Sequence, residues 1–136
     1  MRYLLLLITF LIFLGCEDKI TSQFYDKSEV GKNISSISLS ETNTTLREMI
    51  SKAAKKSNFH LVSGSPYVLE FDTRVYSHKC NNPNSSAYDR TYDGFVQLRL
   101  LKNFKKIYIC QKDYHGEFSY EVVKDLLDRM KRDLDN

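Results

Sequence analysis

Phe95-Val96-Gln97-Leu98-Arg99-Leu100-Leu101-Lys102-Asn103-Phe104-Lys105-Lys106-Ile107-Tyr108-Ile109-Cys110-Gln111 reads as two strands folded back on each other. Apolar and polar residues alternate on both sides of a short polar break, the period expected of half-buried strands. The first strand, Thr91 to Leu101, places Tyr92, Val96, Leu98 and Leu100 on one face. Lys102-Asn103 serves as the tight turn, and the partner strand, Lys105 to Asp113, turns Ile107 and Ile109 inward.

Upstream, Cys80 to Arg90 holds Asn-Asn-Pro-Asn-Ser-Ser and almost no apolar residue, the chemistry of an exposed hairpin loop. Before it runs the clearest strand, where Tyr67, Leu69, Phe71, Thr73 and Val75 alternate with Glu70, Asp72, Arg74 and Tyr76. The Phe59–Val62 run and a Ser63-Gly64-Ser65-Pro66 turn lead into it.

Two stretches have the period of 3.6 instead. Leu46, Met49, Ile50, Ala53 and Ala54 predict a helix over 46–57, opened by a capping box of Thr45 and Glu48 and closed by Lys52, Lys55 and Lys56. Val123, Leu126, Leu127, Met130 and Leu134 predict a terminal helix capped by Ser119, with Phe118 stapled onto Val123. Ile34 to Ser40 is a short first strand.

The order β-α-β-β-β-α predicts an α+β, two-layer sandwich, with two helices on one face of a mainly antiparallel sheet of about four strands. The helix-free face should then carry Arg74, Tyr76, Phe95, Gln97, Arg99, Lys106, Tyr108, Cys110 and Lys112. From this set Arg74, Tyr76, Phe95, Arg99, Tyr108 and Lys112 form a candidate partner face, with ordinary cross-strand pairing as the competing explanation.

The amino terminus has a different character. Met1-Arg2-Tyr3 is followed by an eleven-residue apolar run, Leu4 to Leu14, broken only by Thr9, and then by Gly15-Cys16. Such a run is short of the roughly 20 residues that span a bilayer as a helix, so residues 1–15 read as a removable signal peptide. Phe13-Leu14-Gly15-Cys16 resembles the bacterial lipobox, with Phe13 in place of the usual leucine. That resemblance implies that Cys16 takes a diacylglycerol thioether, carries two or three acyl chains such as palmitate, and becomes residue one of a lipid-anchored protein. Glu17 in place of aspartate then implies the outer membrane, on its periplasmic side. Residues 16–33 carry neither period and read as the lipidated cysteine with a polar tether, leaving 34–136 as one domain.

Loss of residues 1–15 removes Arg2 and no acid, lowering the formal charge by one from +3. A near-neutral domain offers no electrostatic case for nucleic acid. No H-E-x-x-H, G-x-S-x-G, glycine-rich phosphate loop or C-x-x-C is present, which argues against an enzyme and against a cofactor. His78, Cys80, Cys110 and His115 supply the ligand types of tetrahedral zinc, but their spacing matches no familiar finger, so no metal is expected.

Cys80 and Cys110 are the thiols left after lipidation, and an extracytoplasmic compartment favours a disulfide. A Lys102-Asn103 turn sets Cys110 opposite Phe95, so a bridge would need the Cys80 loop to fold across, and both states stay open. Glu41-Thr42-Asn43-Thr44-Thr45 fits the acidic-x-Asn-x-Ser/Thr pattern of bacterial N-glycosylation, making Asn43 a short-pattern candidate.

Ile37-Ser38-Leu39 before Leu46–Ala54, the Tyr67–Tyr76 strand, the hairpin around Lys102-Asn103 and Val123–Leu134 together resemble the LptE-like lipopolysaccharide-assembly outer-membrane lipoproteins, in pattern and over about residues 34–134. The resemblance implies a domain that sits in the lumen of an outer-membrane β-barrel, helps lipopolysaccharide transport and performs no covalent chemistry. No individual functional residue follows from the resemblance; on their own chemistry, Arg74 and Arg99 of the basic and aromatic outer face are the candidates for contact with a partner or with lipopolysaccharide phosphate. The competing expectations are a pilotin-like or secretion-apparatus lipoprotein of another envelope complex and, from a different class, a lipid-anchored metal-binding protein.

Overall fold

The computed structural model describes residues 19–76 and 92–136. Cys16, His78, Cys80, the signal segment and the Cys80–Arg90 loop lie outside them. The elements are β1 (Ile20–Phe24), a single 3-10 turn (Lys27–Glu29), β2 (Ser36–Leu39), α1 (Thr44–Lys56), β3 (His60–Leu61), β4 (Tyr67–Val75), β5 (Gly94–Lys102), β6 (Lys105–Tyr114) and α2 (Tyr120–Asp135). They build an α+β fold in which both helices pack on one face of a six-stranded sheet ordered β1-β6-β5-β4-β2-β3.

The sheet departs from the expected four mainly antiparallel strands in number and in direction. β1, β6, β5 and β4 pair antiparallel, whereas β2 runs parallel to both β4 and β3. The cause is α1: a 13-residue helix returns the chain to the end of the sheet where β2 began, so the strands that follow run in its direction. The two added strands are β3, from the Phe59–Val62 run, and β1, inside the stretch expected to be a tether.

β1 pairs residue by residue with β6, from Ile20 against Lys112 to Phe24 against Tyr108. After it, Tyr25 and Asp26 donate their amides to the Ile107 carbonyl, and the Gly31 amide donates to the Leu134 carbonyl at the end of α2. Residues 20–31 are therefore part of the folded body. The polar spacer between Cys16 and the domain shrinks from the expected 17 residues to the few that precede Ile20.

The hairpin turn also moves. Its two turn residues are Asn103 and Phe104, with φ of 49° and 68°, between the paired Lys102 and Lys105. Left-handed backbone at both positions gives the primed turn whose twist suits a two-residue hairpin. One residue further on, Leu101 faces Lys106 but Leu100 faces Tyr108, so Ile107 is an extra residue bulging out of β6. A bulge reverses the inward–outward phase of everything beyond it.

The core between sheet and helices contains Leu69, Val96, Leu98, Leu100, Tyr108 and Cys110 from the strands, with Ile50, Ala53 and Ala54 of α1 and Val123, Leu126, Leu127 and Met130 of α2. The α1 cap is Asn43, whose Oδ1 accepts from the Leu46 amide at 3.0 Å, in place of the expected Thr45–Glu48 box. Ser119 does precede α2 as its N-cap residue, without a side-chain cap bond, and Phe118 packs against Tyr114. None of the described helices is long and apolar enough to cross a membrane.

Candidate functional site

The Ile107 bulge redistributes the expected partner face. Tyr108, Cys110 and Lys112 lie on the helix-covered side, while Arg74, Phe95 and Arg99 remain on the helix-free side. Tyr108 is fully buried and donates its hydroxyl to Asp133 Oδ2 at 2.8 Å, and Arg129 Nε holds the other oxygen of that carboxylate at 2.9 Å. Burial raises the Tyr108 hydroxyl far above the usual tyrosine value. Lys112 reaches out from under α2 to Asp125 at 2.6 Å.

Cys110 is a free thiol, 1% exposed, packed beneath Leu126. Burial pushes it up to about 12, which leaves almost no thiolate at neutral pH and makes it a core side chain. The expectation that it faces the helix-free side is thus corrected; Cys80, its possible disulfide partner, lies outside the described residues. His115 is exposed beyond the end of β6 and stacks on Tyr92 at 4.5 Å. Five residues of extended strand, roughly 17 Å, separate it from Cys110. A single zinc with ligand bonds near 2 Å cannot span these two, and the described residues hold no group of three or more metal-ligating side chains.

What the helix-free face keeps is a line of partly exposed side chains. In its centre Arg99 Nε lies 3.5 Å from Glu70 Oε2, and Gln97 Nε2 donates to Gln111 Oε1 at 3.2 Å. Between Gln97 and β1 a shallow cavity of about 200 Å³ is lined by Thr21, Gln23, Tyr25 and Ile109. At the end of the sheet where β1 starts, Arg74 lies over the Phe95 ring at 5.7 Å, and Tyr76 sits 6.1 Å from the same ring. Asp113 holds the Tyr76 hydroxyl at 3.5 Å. Burial and the nearby Asp113 charge raise that hydroxyl above its ordinary value.

Val75 is 72% exposed and Tyr76 40%. This end forms because Gly94 lets β4, β5 and β6 close up. A Cβ there would run into the Arg74 carbonyl and the Tyr114 ring. The arrangement can hold an apolar or aromatic surface beside a cation.

A site the sequence reading missed lies at the opposite end. Glu29, 3% exposed, accepts from Lys32 Nζ and Lys102 Nζ, each at 2.8 Å, and from the Tyr67 hydroxyl at 2.7 Å. These donors, Lys102 foremost, hold its carboxyl down to about 2. The cluster locks residues 27–32 onto the hairpin end of the sheet. Its chemistry is that of a structural clasp, since every carboxylate contact is already a protein donor. Asn43, the candidate glycosylation residue, is exposed, and its side-chain oxygen caps α1.

No family model matches the chain, and no curated protein matches it in sequence. Among solved structures, a PDZ domain protein from Parabacteroides distasonis ATCC 8503 superposes with a TM-score of 0.51 at 10% identity, over 82% of this chain and 34% of that one. The likeness is one of fold. This chain spans about a third of that protein's length. A PelC dodecamer from Paraburkholderia phytofirmans gives 0.44 at 8% identity over 86% and 97% of the two chains. A minor lipoprotein from Acinetobacter baumannii gives 0.37 at 13% identity over 78% and 92%.

Proposed function

We propose that this chain is an envelope lipoprotein, acylated on Cys16, that works by binding a partner at the membrane and carries out no covalent chemistry. The observation that carries the reading is Phe13-Leu14-Gly15-Cys16 at the end of a short apolar run, placed just before the first strand of a folded domain. Two or three acyl chains hold a protein on a bilayer far more firmly than one, so no membrane-spanning helix is needed. A binding role is supported by the structural contacts of three buried titratable groups, Glu29, Tyr108 and Cys110.

At the finer level, the reading is outer-membrane placement and service to a β-barrel in lipopolysaccharide assembly. It is supported by the pattern resemblance over residues 34–134 and by Glu17 after the anchor cysteine. With Tyr108 and Lys112 beneath the helices, the partner contact in this reading centres on Arg99, in the middle of the helix-free face.

Mass analysis of the mature amino terminus tests the anchor: an acylated residue 16, lost in Cys16→Ser, is expected, and an unmodified terminus refutes it. Pull-down from solubilised outer membranes, with depletion scored by surface lipopolysaccharide, tests the finer level. Recovery of a different envelope complex with unchanged surface lipopolysaccharide replaces it with the pilotin-like or secretion-apparatus role.

A further inference from the structure

We propose that the end of the sheet carrying Val75, Tyr76, Tyr92 and Phe95 lies against the bilayer surface at headgroup level; the inference rests on the acylation of Cys16 argued above. It begins with chain length. Four peptide steps separate Cys16 from Ile20, so their Cα atoms are at most about 14 Å apart however the chain runs between them. Ile20 is fixed in the sheet by its pairing with Lys112. An acylated Cys16 sits at the headgroup layer, itself roughly 5–7 Å deep, and it therefore holds the start of β1 within a short step of the lipid.

Strand direction then says what else is there. β1 is antiparallel to β6, β6 to β5 and β5 to β4, so the start of β1 shares its end of the sheet with Tyr114, Gly94 and Val75. The hairpin tip is at the other end, Asn103 lying nine residues beyond Gly94, or about 30 Å away along an extended strand.

The side chains at the near end suit an interface between water and hydrocarbon. Val75 and Tyr76 project, 72% and 40% exposed, and Phe95 and the Tyr92–His115 stack flank them. Tyrosine rings favour the headgroup level because one edge is apolar and the other polar. Arg74, exposed beside Phe95, and Lys19, exposed just before β1, can lay their stems on apolar surface and reach anionic headgroups with their charges. In this placement the anchor and the rim grip the same membrane, and Phe104, 95% exposed, is aimed away from it.

The chain contains no tryptophan, so a single introduced one reports its own position. Full-length acylated protein carrying Tyr76→Trp, or Val75→Trp should the first variant fold poorly, is reconstituted in phosphatidylethanolamine–phosphatidylglycerol vesicles containing a spin-labelled lipid quencher. Phe104→Trp is the comparison. The rim tryptophan is expected to shift to the blue and lose most of its emission, while the tryptophan at 104 loses almost none.

Equal quenching at the two positions, or stronger quenching at 104, overturns the placement. So does a rim tryptophan unquenched by lipid but shielded from an aqueous quencher in native membranes, which would assign that end to a protein partner. An unacylated residue 16 in the same preparation takes down the anchor itself. An acylated protein with an unquenched rim takes down only the orientation.

Discussion

On the covered side of the central hairpin, Val96, Leu98 and Leu100 of β5 meet Tyr108 and Cys110 of β6 under two helices, and all are buried to within 1%. On the other side of the same strands, Phe95, Gln97, Arg99, Ile109 and Gln111 stay partly accessible. Neighbouring positions in one strand thus have opposite energetic weight. The first set contributes through area removed from water, about 25 cal/mol per Å²; the second is free to be chosen for contact. The Ile107 bulge decides which residue belongs to which set.

The largest test of that division removes volume from the covered side. Leu126→Ala deletes a fully buried side chain of α2 beside Cys110 and should lower stability by about 3 kcal/mol. Urea unfolding followed by circular dichroism measures it. A loss below about 1 kcal/mol, the level of an exposed substitution, would mean that the covered side is not the continuous core described.

Next comes the clasp at the hairpin end. Glu29→Gln keeps the size and removes the charge that Lys32, Lys102 and Tyr67 all address, and should cost about 2 kcal/mol. The pH dependence has a definite sign. The folded carboxyl sits at about 2, below its ordinary value of 4.5, so its contribution is fully present above pH 4.5 and is lost as pH falls from there toward 2. Unfolding midpoints between pH 6 and 2.5 should therefore converge for wild type and variant at the acid end. A constant difference across the range would contradict the geometry.

These two tests fall on parts of the molecule that differ in how legible they were. α1 and α2 follow from apolar spacing, and β4 from the regular alternation of Leu69 to Val75. β1 did not, because Ile20-Thr21-Ser22-Gln23-Phe24 offers only two apolar residues, and an edge strand backed by one neighbour needs no more. The Glu29 clasp joins residues 73 positions apart, a distance that no local pattern reports. The β6 faces were misassigned because strict alternation was carried through a bulge. The adjacent pairs Leu100-Leu101 and Ile107-Tyr108, apolar at consecutive positions, were the trace it left in the sequence.

A thiol assay separates the two sides at a smaller scale. Cys110, buried and held at about 12, should resist alkylation in the folded protein and react on unfolding, read by peptide mass at that residue. Fast labelling of Cys110 under native conditions would return it to the open side, where unbroken alternation had put it.

The smallest effect belongs to the open face, and it is the one most able to sharpen the comparison. Arg99 and Glu70 face each other across β5 and β4 at 3.5 Å, each about a third exposed. Arg99 Nε, buried as an atom, has no hydrogen-bond partner among the described residues. An ion pair in that setting trades modest attraction for side-chain entropy and screening, so a double-mutant cycle with Arg99→Ala and Glu70→Ala should give a coupling below about 0.5 kcal/mol. The same cycle can be run on the acylated protein in native membranes, reading heat resistance instead of urea resistance. If a partner covers the sheet centre there, the pair is desolvated, and removing one member strands the other charge. The coupling should then rise well above 0.5 kcal/mol. An unchanged coupling in both settings would move any partner contact from the sheet centre to the hairpin tip, the end aimed away from the bilayer.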